Sequence, residues 1–339
     1  MNINLNRFKI PLHNSNANAI PNNNKTENSN AKNKLKNYKK PKASSDSVKT
    51  TGKYKNISTK IIYQKKIWII KIIRPEVENA IDRKTATELN SVFKEFDHDK
   101  NSLVAILSGK GKSFCSGADL KNISDEIESL KQSNSFYNES NNQSKQNSNL
   151  KINEISEKGN GPLGISRLVL NKPIIAAVNG PAVGGGLELL LWCDLRVTYR
   201  NCEMGLYCRK RGVPLIDGGT YRLTQIVGLS RALDLVLTGR KIDGNEAFNW
   251  GLINRICDDR RSVMKEAKKL AVELCAFPQD CLRNDRMSLL ENAFNPGDLQ
   301  QKIKTEFDYG LKSLRSIEMK IAVDEFLKKK NNKKMLPKF

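Results

Sequence analysis

A glycine-rich segment between an apolar run and a helix is the feature that most constrains the fold of this chain. Residues 174–178 read Ile-Ile-Ala-Ala-Val, and residues 179–188 read Asn-Gly-Pro-Ala-Val-Gly-Gly-Gly-Leu-Glu. The apolar run is typical of a buried strand, and we expect the helix after the glycines to continue to Asp194. Unpaired N–H groups at a helix start can stabilise negative charge on a carbonyl oxygen, and the Glu188 carboxyl beside them could move a proton.

A second strand-to-turn unit lies upstream of the first. Residues 103–107 form the apolar run Leu-Val-Ala-Ile-Leu, and residues 114–121 read Phe-Cys-Ser-Gly-Ala-Asp-Leu-Lys. The intervening Gly-Lys-Ser at 111–113 is similar to the end of a phosphate-binding loop, but that motif requires a glycine where this chain has Ile106. The glycines at 184–186 do not have the dinucleotide-binding spacing either. The sequence therefore favours neither kind of nucleotide site.

Together the two units resemble the motifs of the enoyl-CoA hydratase/isomerase family, also called the crotonase family. The resemblance extends from about Lys60 to about Asn292 and includes residues 212–220 and 237–240. It implies an α/β fold, a spiral of repeated ββα units with a C-terminal helical trimerisation region. Periodicity alone indicates only a mixed α/β protein.

Composition divides the chain into a leader, a core, a helical region and a tail. Residues 1–60 hold 13 Lys/Arg, two acids and 14 Asn, which predicts a disordered basic leader, and residues 328–339 form a basic tail with six lysines. Of the net charge of +22, only +5 remains for the rest. We place the crotonase-like core at 61–258, with a Ser-, Asn- and Gln-rich insert at about 131–160, and the helical region at 259–327.

Local patterns predict individual elements within the core. Residues 68–73 read as a strand, and a helix is expected after the cap Asp82, because apolar residues recur at helical spacing at 86, 89, 93 and 96. A second amphipathic stripe occupies positions 264, 267, 270, 271 and 274, in the part that resembles the trimerisation region. The resemblance thus implies a homotrimer or a hexamer.

The tails and cysteines bear on partners and location. Because the positive charge lies in the tails, it does not favour a nucleic-acid partner for the core, although an RNA-binding protein without catalysis stays an open alternative. The leader has no acid before Glu27 but few arginines, so it is either a mitochondrial targeting segment or an extension without an address. Seven cysteines without a CxxC pair favour reduced thiols, in the mitochondrial matrix or the cytoplasm. No apolar run is long enough to predict a membrane span.

The scarcity of histidine restricts the possible chemistry. The chain has only His13, in the leader, and His98, in a polar turn, so neither a Ser-His-Asp triad nor a histidine zinc site is expected. The resemblance implies that the N–H groups of Ala118 and Gly185 hold a thioester oxygen while Glu188 acts as acid/base. An ordinary helix N-terminal acid is the alternative interpretation of Glu188.

One position departs from the family pattern. Aligning residues 204–208 (Met-Gly-Leu-Tyr-Cys) with the family's Phe-Gly-Gln-Pro-Glu puts Cys208 where hydratases carry a second glutamate, which puts simple hydration in doubt. Asp217 is the nearest replacement, either as a catalytic acid or as a turn residue before two glycines. Cys208 as a nucleophile is less favoured, because no histidine is available to activate it.

The resemblance also implies a coenzyme A site and an activity. The backbone of Asn79 and Ala80 would help to hold coenzyme A, Asp119 and Leu120 would meet the adenine, and Lys121 is either a phosphate contact or a solvated surface residue. No redox cofactor or metal is implied, and coenzyme A enters as part of the thioester substrate. We expect hydration or dehydration of an enoyl-CoA. The alternatives are isomerisation or decarboxylation with one carboxylate, or a non-catalytic protein that binds coenzyme A.

Overall fold

The computed structural model describes residues 48–50, 53–121 and 160–334 of the chain. Most of the predicted leader, the predicted insert up to residue 159 and the end of the predicted tail lie outside the described residues. Within the described residues, no helix combines the length and apolarity that crossing a membrane requires.

A seven-stranded sheet forms the centre of the fold. Its spatial order is β1-β2-β3-β4-β5-β7-β10. The strands are β1 (Val48–Thr50), β2 (Ile57–Ile62), β3 (Ile67–Ile72), β4 (Val104–Gly109), β5 (Ile174–Ala177), β7 (Leu195–Tyr199) and β10 (Arg255–Cys257). Neighbouring strands from β3 to β10 are parallel, whereas β2 pairs antiparallel with both β1 and β3. The parallel strands point their carboxyl ends, and the loops that follow, toward one edge.

A small second sheet, nine α-helices and two short 3-10 helices, Pro75–Val77 and Tyr207–Arg211, complete the described structure. The small sheet contains β6 (Ala182–Val183), β8 (Met204–Gly205) and β9 (Lys241–Ile242). The helices are α1 (Arg83–His98), α2 (Gly185–Trp192), α3 (Gly219–Val227), α4 (Leu229–Thr238), α5 (Gly244–Asn249), α6 (Arg260–Cys275), α7 (Gln279–Phe294), α8 (Leu299–Leu314) and α9 (Ile317–Lys334). The predicted α/β class is confirmed.

The first predicted helix, α1, forms for the expected reason. Asp82 is its N-cap, and a side-chain oxygen of Asp82 accepts a hydrogen bond from Thr85 N at 2.7 Å. The apolar stripe, with Leu89, Phe93 and Phe96, is fully buried against one face of the sheet. The same core contains the leucines of α2, so α2 is fixed against the strands that precede it.

The opposite face of the sheet is covered by α6, which begins at Arg260, next to the predicted start of the helical region at 259. Val263, Ala267 and Leu270 of α6 pack against Ile69 of β3 and Ile106 of β4 in a second buried core. The amphipathic stripe was predicted correctly, but its apolar side completes the sheet. This first helix of the predicted helical region therefore also completes the core.

The predicted end of the leader at residue 60 is wrong. Strand β2 begins at Ile57, where Ile57 and Thr59 are buried, and β1 pairs with β2 through Val48 and Ile61. These short strands lie in a lysine- and asparagine-rich stretch whose composition hides the alternation of buried and exposed positions. The sheet therefore starts about twelve residues earlier than composition indicates.

Candidate active site

The two predicted motifs meet where α2 begins. Gly184, with φ of 55°, is the N-cap of α2, and the Val183 N–H donates to the Cys115 carbonyl at 3.1 Å. A side chain at Gly186 would overlap the same carbonyl, so only glycine allows this approach. The helix ends at Trp192, two residues before the predicted end, and Asp194 instead accepts a hydrogen bond from Ile174 N at 2.7 Å.

The predicted oxyanion donors lie on adjoining pieces of backbone. Gly117 has φ of 98°, and a Cβ there would lie 2.7 Å from Gly185 N. Ile81 holds the two residues on either side of Ala118: its N–H donates to the Gly117 carbonyl, and its carbonyl accepts a hydrogen bond from Asp119 N. Neither Ala118 N nor Gly185 N donates to any acceptor among the described residues. Both N–H groups are therefore available to an oxygen of a bound molecule.

Glu188 lies in the first turn of α2, and its side chain is only 3 % exposed. Its Oε1 accepts hydrogen bonds from Asp217 N at 3.1 Å and Gly219 N at 2.9 Å. Its Oε2 accepts none from the described part of the chain. Burial, and secondly the Asp217 charge, raise the pKa of Glu188 to about 7, although the two N–H groups and Arg222 act in the opposite direction. One oxygen is thus fixed while the other is free to exchange a proton near neutral pH.

Asp217 is buried to a similar degree, with 4 % exposure, but its carboxylate has different partners. Asp217 Oδ1 accepts a hydrogen bond from Leu163 N at 3.0 Å and a very short one from Ser166 Oγ. Burial raises the pKa of Asp217, and these hydrogen bonds oppose the shift. The Asp217 side chain therefore connects the segment at 163–166 to the loop at 217–219, whose N–H groups donate to Glu188.

Cys208 is half-buried in a 3-10 turn, Tyr207–Arg211, on the other side of the α2 start. A Cβ at Gly184 would lie 4.0 Å from Cys208 N. Burial and the nearby Glu188 charge raise the pKa of the Cys208 thiol, so the thiol stays protonated at neutral pH. A neutral thiol cannot replace a carboxylate as a base. All seven cysteines are free thiols.

Asn79 and Ala80 already have partners within the protein. The fully buried Asn79 amide donates to the carbonyls of Lys110 and Ser113 at 2.9 and 2.8 Å and so fixes that loop. The Ala80 carbonyl accepts a hydrogen bond from Arg74 Nη1 at 2.6 Å. The predicted contact of these two residues with coenzyme A stays a prediction.

The other predicted coenzyme A residues follow Ala118 directly. The Asp119 carboxylate pairs with Arg74 at 3.0 Å, and Arg74 also pairs with Asp82 at 3.2 Å. Leu120 is 45 % exposed, and Lys121 is exposed. The exposed Leu120 offers an apolar surface on which an adenine ring could pack. Asp119 already pairs with Arg74 within the protein.

Sequence reasoning missed Ser166 and Arg222, which complete the surroundings of Glu188. Arg222 donates through Nη1 to the Asp217 carbonyl at 2.9 Å and through Nη2 to the Ser166 carbonyl at 2.5 Å. No sequence signal marked Arg222, because the helical stretch after Gly218 mixes polar residues such as Thr220, Thr224 and Gln225 with apolar ones.

Comparison with known proteins identifies the family of this chain. The family model described as enoyl-CoA hydratase/isomerase matches residues 63–333. The chain belongs to the enoyl-CoA hydratase/isomerase family. It is 32% identical over 256 residues to the mevalonyl-coenzyme A hydratase SIDH of Beauveria bassiana, covering 74% of this chain and 84% of that protein. It is 33% identical over 211 residues to a short-chain-enoyl-CoA hydratase of Clostridium acetobutylicum, covering 61% and 70%.

Solved structures of family members share the fold. An enoyl-CoA hydratase subunit I of Geobacillus kaustophilus is 28% identical with a TM-score of 0.67, covering 85% of this chain and 99% of that one. The enoyl-CoA hydratase EchA1 of Mycobacterium marinum is 25% identical with a TM-score of 0.68, covering 81% and 96%. The predicted crotonase-like fold is therefore confirmed, and the chain is an enzyme of this family.

Proposed function

We propose that this enzyme adds water to an enoyl-CoA thioester, or removes it from the corresponding 3-hydroxyacyl-CoA, with Glu188 as the acid/base. The observation that carries the proposal is the Glu188 carboxyl, which has one oxygen fixed by two N–H groups and a pKa near 7. Two unpaired N–H groups, of Ala118 and Gly185, lie on the adjoining backbone. The named relatives support hydration or dehydration as the reaction class.

The two N–H groups would bind the thioester oxygen. When a proton leaves the α carbon, negative charge moves onto this oxygen, and the hydrogen bonds from Ala118 N and Gly185 N become stronger. One such donor stabilises a transition state by roughly 2.7–4 kcal/mol. The preceding Gly117 and Gly184 hold positive φ angles, which set the direction of both donors.

Glu188 would perform both proton transfers. In the dehydrating direction, the free Oε2 of Glu188 removes the α proton and the electron pair delocalises onto the thioester oxygen. The bond between the β carbon and its hydroxyl then breaks, and the leaving hydroxyl takes the proton from Glu188 to form water. Because the pKa of Glu188 is close to 7, it can both accept and release a proton at neutral pH. No resident cofactor takes part in this sequence, since coenzyme A is part of the substrate.

Isomerisation of the double bond is the second candidate, and Cys208 favours it. Two carboxylates would hold a water molecule well, but the second position carries a neutral thiol. Glu188 alone could move a proton from the α to the γ carbon through the same enolate. The two reactions share the first step and differ in whether water is added.

A panel of acyl-CoA thioesters tests the proposal. The purified full-length chain is incubated with enoyl-CoA and 3-hydroxyacyl-CoA substrates of several chain lengths, and the products are identified by mass. A mass change of one water supports hydration, whereas a product of unchanged mass and new double-bond position supports isomerisation. Glu188→Gln is the control, because it keeps an acceptor oxygen for the two N–H groups but cannot exchange the proton. Turnover unaffected by this variant contradicts the proposal.

The coenzyme A contacts form a separate part of the proposal. Exposed Leu120 would contact the adenine and Lys121 a phosphate, while Asn79, Ala80 and Asp119 shape the backbone around them. Leu120→Asp should raise KM for acyl-CoA with little change in kcat. An unchanged KM removes Leu120 from the site.

We further propose assembly into a trimer or hexamer through the C-terminal helices. Leu299, Ile303 and Phe307 recur every four residues along α8 and are each at least 60 % exposed. Such a stripe is typical of a buried interface. Light scattering of Ile303→Asp should show a smaller mass than the parent chain, and an unchanged mass argues against this face.

The location of the enzyme, in the mitochondrial matrix or the cytoplasm, also stays a proposal. A fluorescent fusion of the full chain compared with one lacking residues 1–47 distinguishes the two. Matrix signal that disappears with the deletion identifies the leader as a targeting segment.

A further inference from the structure

Arg222 stands out among the buried groups without a role in the proposed proton transfers. It is half-buried in the first turn of α3, three residues after Gly219, whose N–H donates to Glu188 Oε1. Gly218, with φ of 91°, packs so closely against the guanidinium that a side chain at this position would overlap it. The surrounding backbone is thus shaped around the arginine.

The guanidinium joins two loops that both surround the acid/base. Its Nη1 donates to the carbonyl of Asp217 and its Nη2 to the carbonyl of Ser166. The Asp217 side chain closes the same link from the other side, through Ser166 Oγ and Leu163 N. The N–H of Asp217 then donates to Glu188 Oε1. One arginine therefore holds the carbonyl of the residue whose N–H holds the Glu188 carboxyl.

The charge of Arg222 acts on the same carboxyl. Three groups face Glu188 from the elements packed around it, namely Asp217, Arg222 and the neutral Cys208 thiol. Asp217 raises the pKa of Glu188 and Arg222 lowers it, and Arg222 acts in the same direction on Asp217. Without Arg222, the two buried carboxylates would face each other without its positive charge. Arg167 would still lower the pKa of Asp217.

We infer that Arg222 is a positioning residue that keeps the Glu188 carboxyl aligned by bridging the Ser166 and Asp217 carbonyls. This inference rests on the proposed role of Glu188. An arginine suits the task because its planar fork can reach two carbonyls at once, which a lysine cannot do with fixed geometry.

Two substitutions separate the charge from the bridge. Arg222→Gln removes the charge and keeps one donor group, whereas Arg222→Lys keeps the charge and loses the two-pronged bridge. In Arg222→Gln, the acid limb of kcat/KM should move to higher pH by roughly one unit, because a nearby cation typically lowers a carboxyl pKa by one unit or more. In Arg222→Lys, the limb should stay in place while kcat falls and KM changes little.

Arg196 provides a matched control. It is a buried arginine that donates to the carbonyls of Leu252 at 2.6 Å and Cys193 at 2.8 Å, and it does not contribute to the pKa of Glu188. Arg196→Gln should lower the melting temperature but leave the acid limb unchanged. An equal shift in Arg196→Gln and Arg222→Gln would show that any loss of a buried arginine has this effect, and would overturn the inference.

A direct titration keeps the inference independent of turnover. The protein is labelled with 13C at the glutamate carboxyl, and the Glu188 signal is assigned by its absence in Glu188→Gln. An upward shift of its midpoint in Arg222→Gln supports the inference, and an unchanged midpoint overturns it. If Arg222→Gln does not fold, Arg222→Lys decides, since wild-type kcat in that variant contradicts a positioning role. Absence of turnover in the parent chain would instead refute the proposed function, and the titration would still judge Arg222.

Discussion

Glu188 in α2 and Asp217 in the loop before α3 are two buried carboxyls, and their hydrogen bonds connect different parts of the structure. Glu188 receives its hydrogen bonds from the backbone N–H groups of Asp217 and Gly219 on one oxygen and keeps the other free. Asp217 uses its oxygen to hold Leu163 and Ser166 in a neighbouring segment. Each carboxyl thus has one oxygen that accepts two hydrogen bonds, and the difference lies in the partners: the loop at 217–219 holds Glu188, whereas Asp217 holds the segment at 163–166.

The comparison teaches that the task of a buried acid is read from its hydrogen-bond partners as well as from its burial. Burial raises the pKa of both residues, so the direction of the shift does not tell them apart. The hydrogen-bond partners of the two carboxyls do tell them apart. The following predictions test the distinction, beginning with the largest effect.

Glu188→Gln should lower kcat by at least about 1,000-fold, because proton transfer by a positioned group and the alignment it provides are both lost. The amide oxygen still accepts from Asp217 N and Gly219 N, so the fold and KM should change little. Steady-state kinetics on the best thioester of the panel, with circular dichroism as a folding control, gives the result. A loss smaller than tenfold would place the chemistry elsewhere.

Gly117→Ala should lower kcat by about 100-fold or more, because a Cβ there would lie 2.7 Å from Gly185 N and disturb the oxyanion donors. Gly212→Ala is the matched control, since Gly212 also has a positive φ, of 69°, but no neighbour within 4 Å. Both variants strain the backbone, and only the first touches the donors. Equal losses of activity would show that strain alone is responsible.

The stability of the fold should reflect the burial of Glu188. The pKa of Glu188 is 4.5 in the unfolded chain and about 7 in the folded protein. Below pH 4.5 both states are protonated and stability is unaffected, whereas between pH 4.5 and about 7 the unfolded state ionises first and the fold is progressively destabilised. Glu188→Gln removes this cost. Between pH 4 and pH 8, the free energy of unfolding of the variant should gain about 3 kcal/mol relative to the parent. Denaturant titrations at the two pH values measure the change, and a difference independent of pH would contradict the raised pKa.

Asp217→Asn should cost roughly tenfold in kcat, since Asn keeps an acceptor oxygen for Leu163 N and Ser166 Oγ and loses only the charge. Removing this charge should lower the pKa of Glu188, so the acid limb of kcat/KM moves to lower pH. A pH–rate profile shows both effects. A loss as large as that of Glu188→Gln would make Asp217 a second catalytic acid.

Cys208→Glu should have the smallest effect, a rise of a few-fold in the hydration rate of an enoyl-CoA, because a carboxylate could help to hold water. The added charge should also raise the pKa of Glu188 and move the acid limb to higher pH. Cys208→Ala, which removes the thiol without adding an acid, is the control. A hydration rate equal in both variants would show that Cys208 does not occupy the place of the second carboxylate.

The sequence was informative where a residue type is required by local geometry. Glycines at positive φ, such as Gly117 and Gly184, and the apolar stripe of α1 have few alternatives, and their elements were predicted correctly. The partners of a side chain depend on tertiary packing, which explains why the bridge from Arg222 to Ser166 was missed. The short strand β1 was not predicted, because the surrounding leader is rich in lysine and asparagine and shows little apolar pattern.

Exchange of the α proton tests the account most directly. Butanoyl-CoA, a saturated thioester that can be neither hydrated nor isomerised, is incubated with the enzyme in D2O, and NMR follows the loss of its α-proton signal. The account predicts exchange with the parent chain, strongly reduced exchange with Gly117→Ala, and none above background with Glu188→Gln. Exchange that proceeds equally in Glu188→Gln would contradict the assignment of Glu188 as the acid/base.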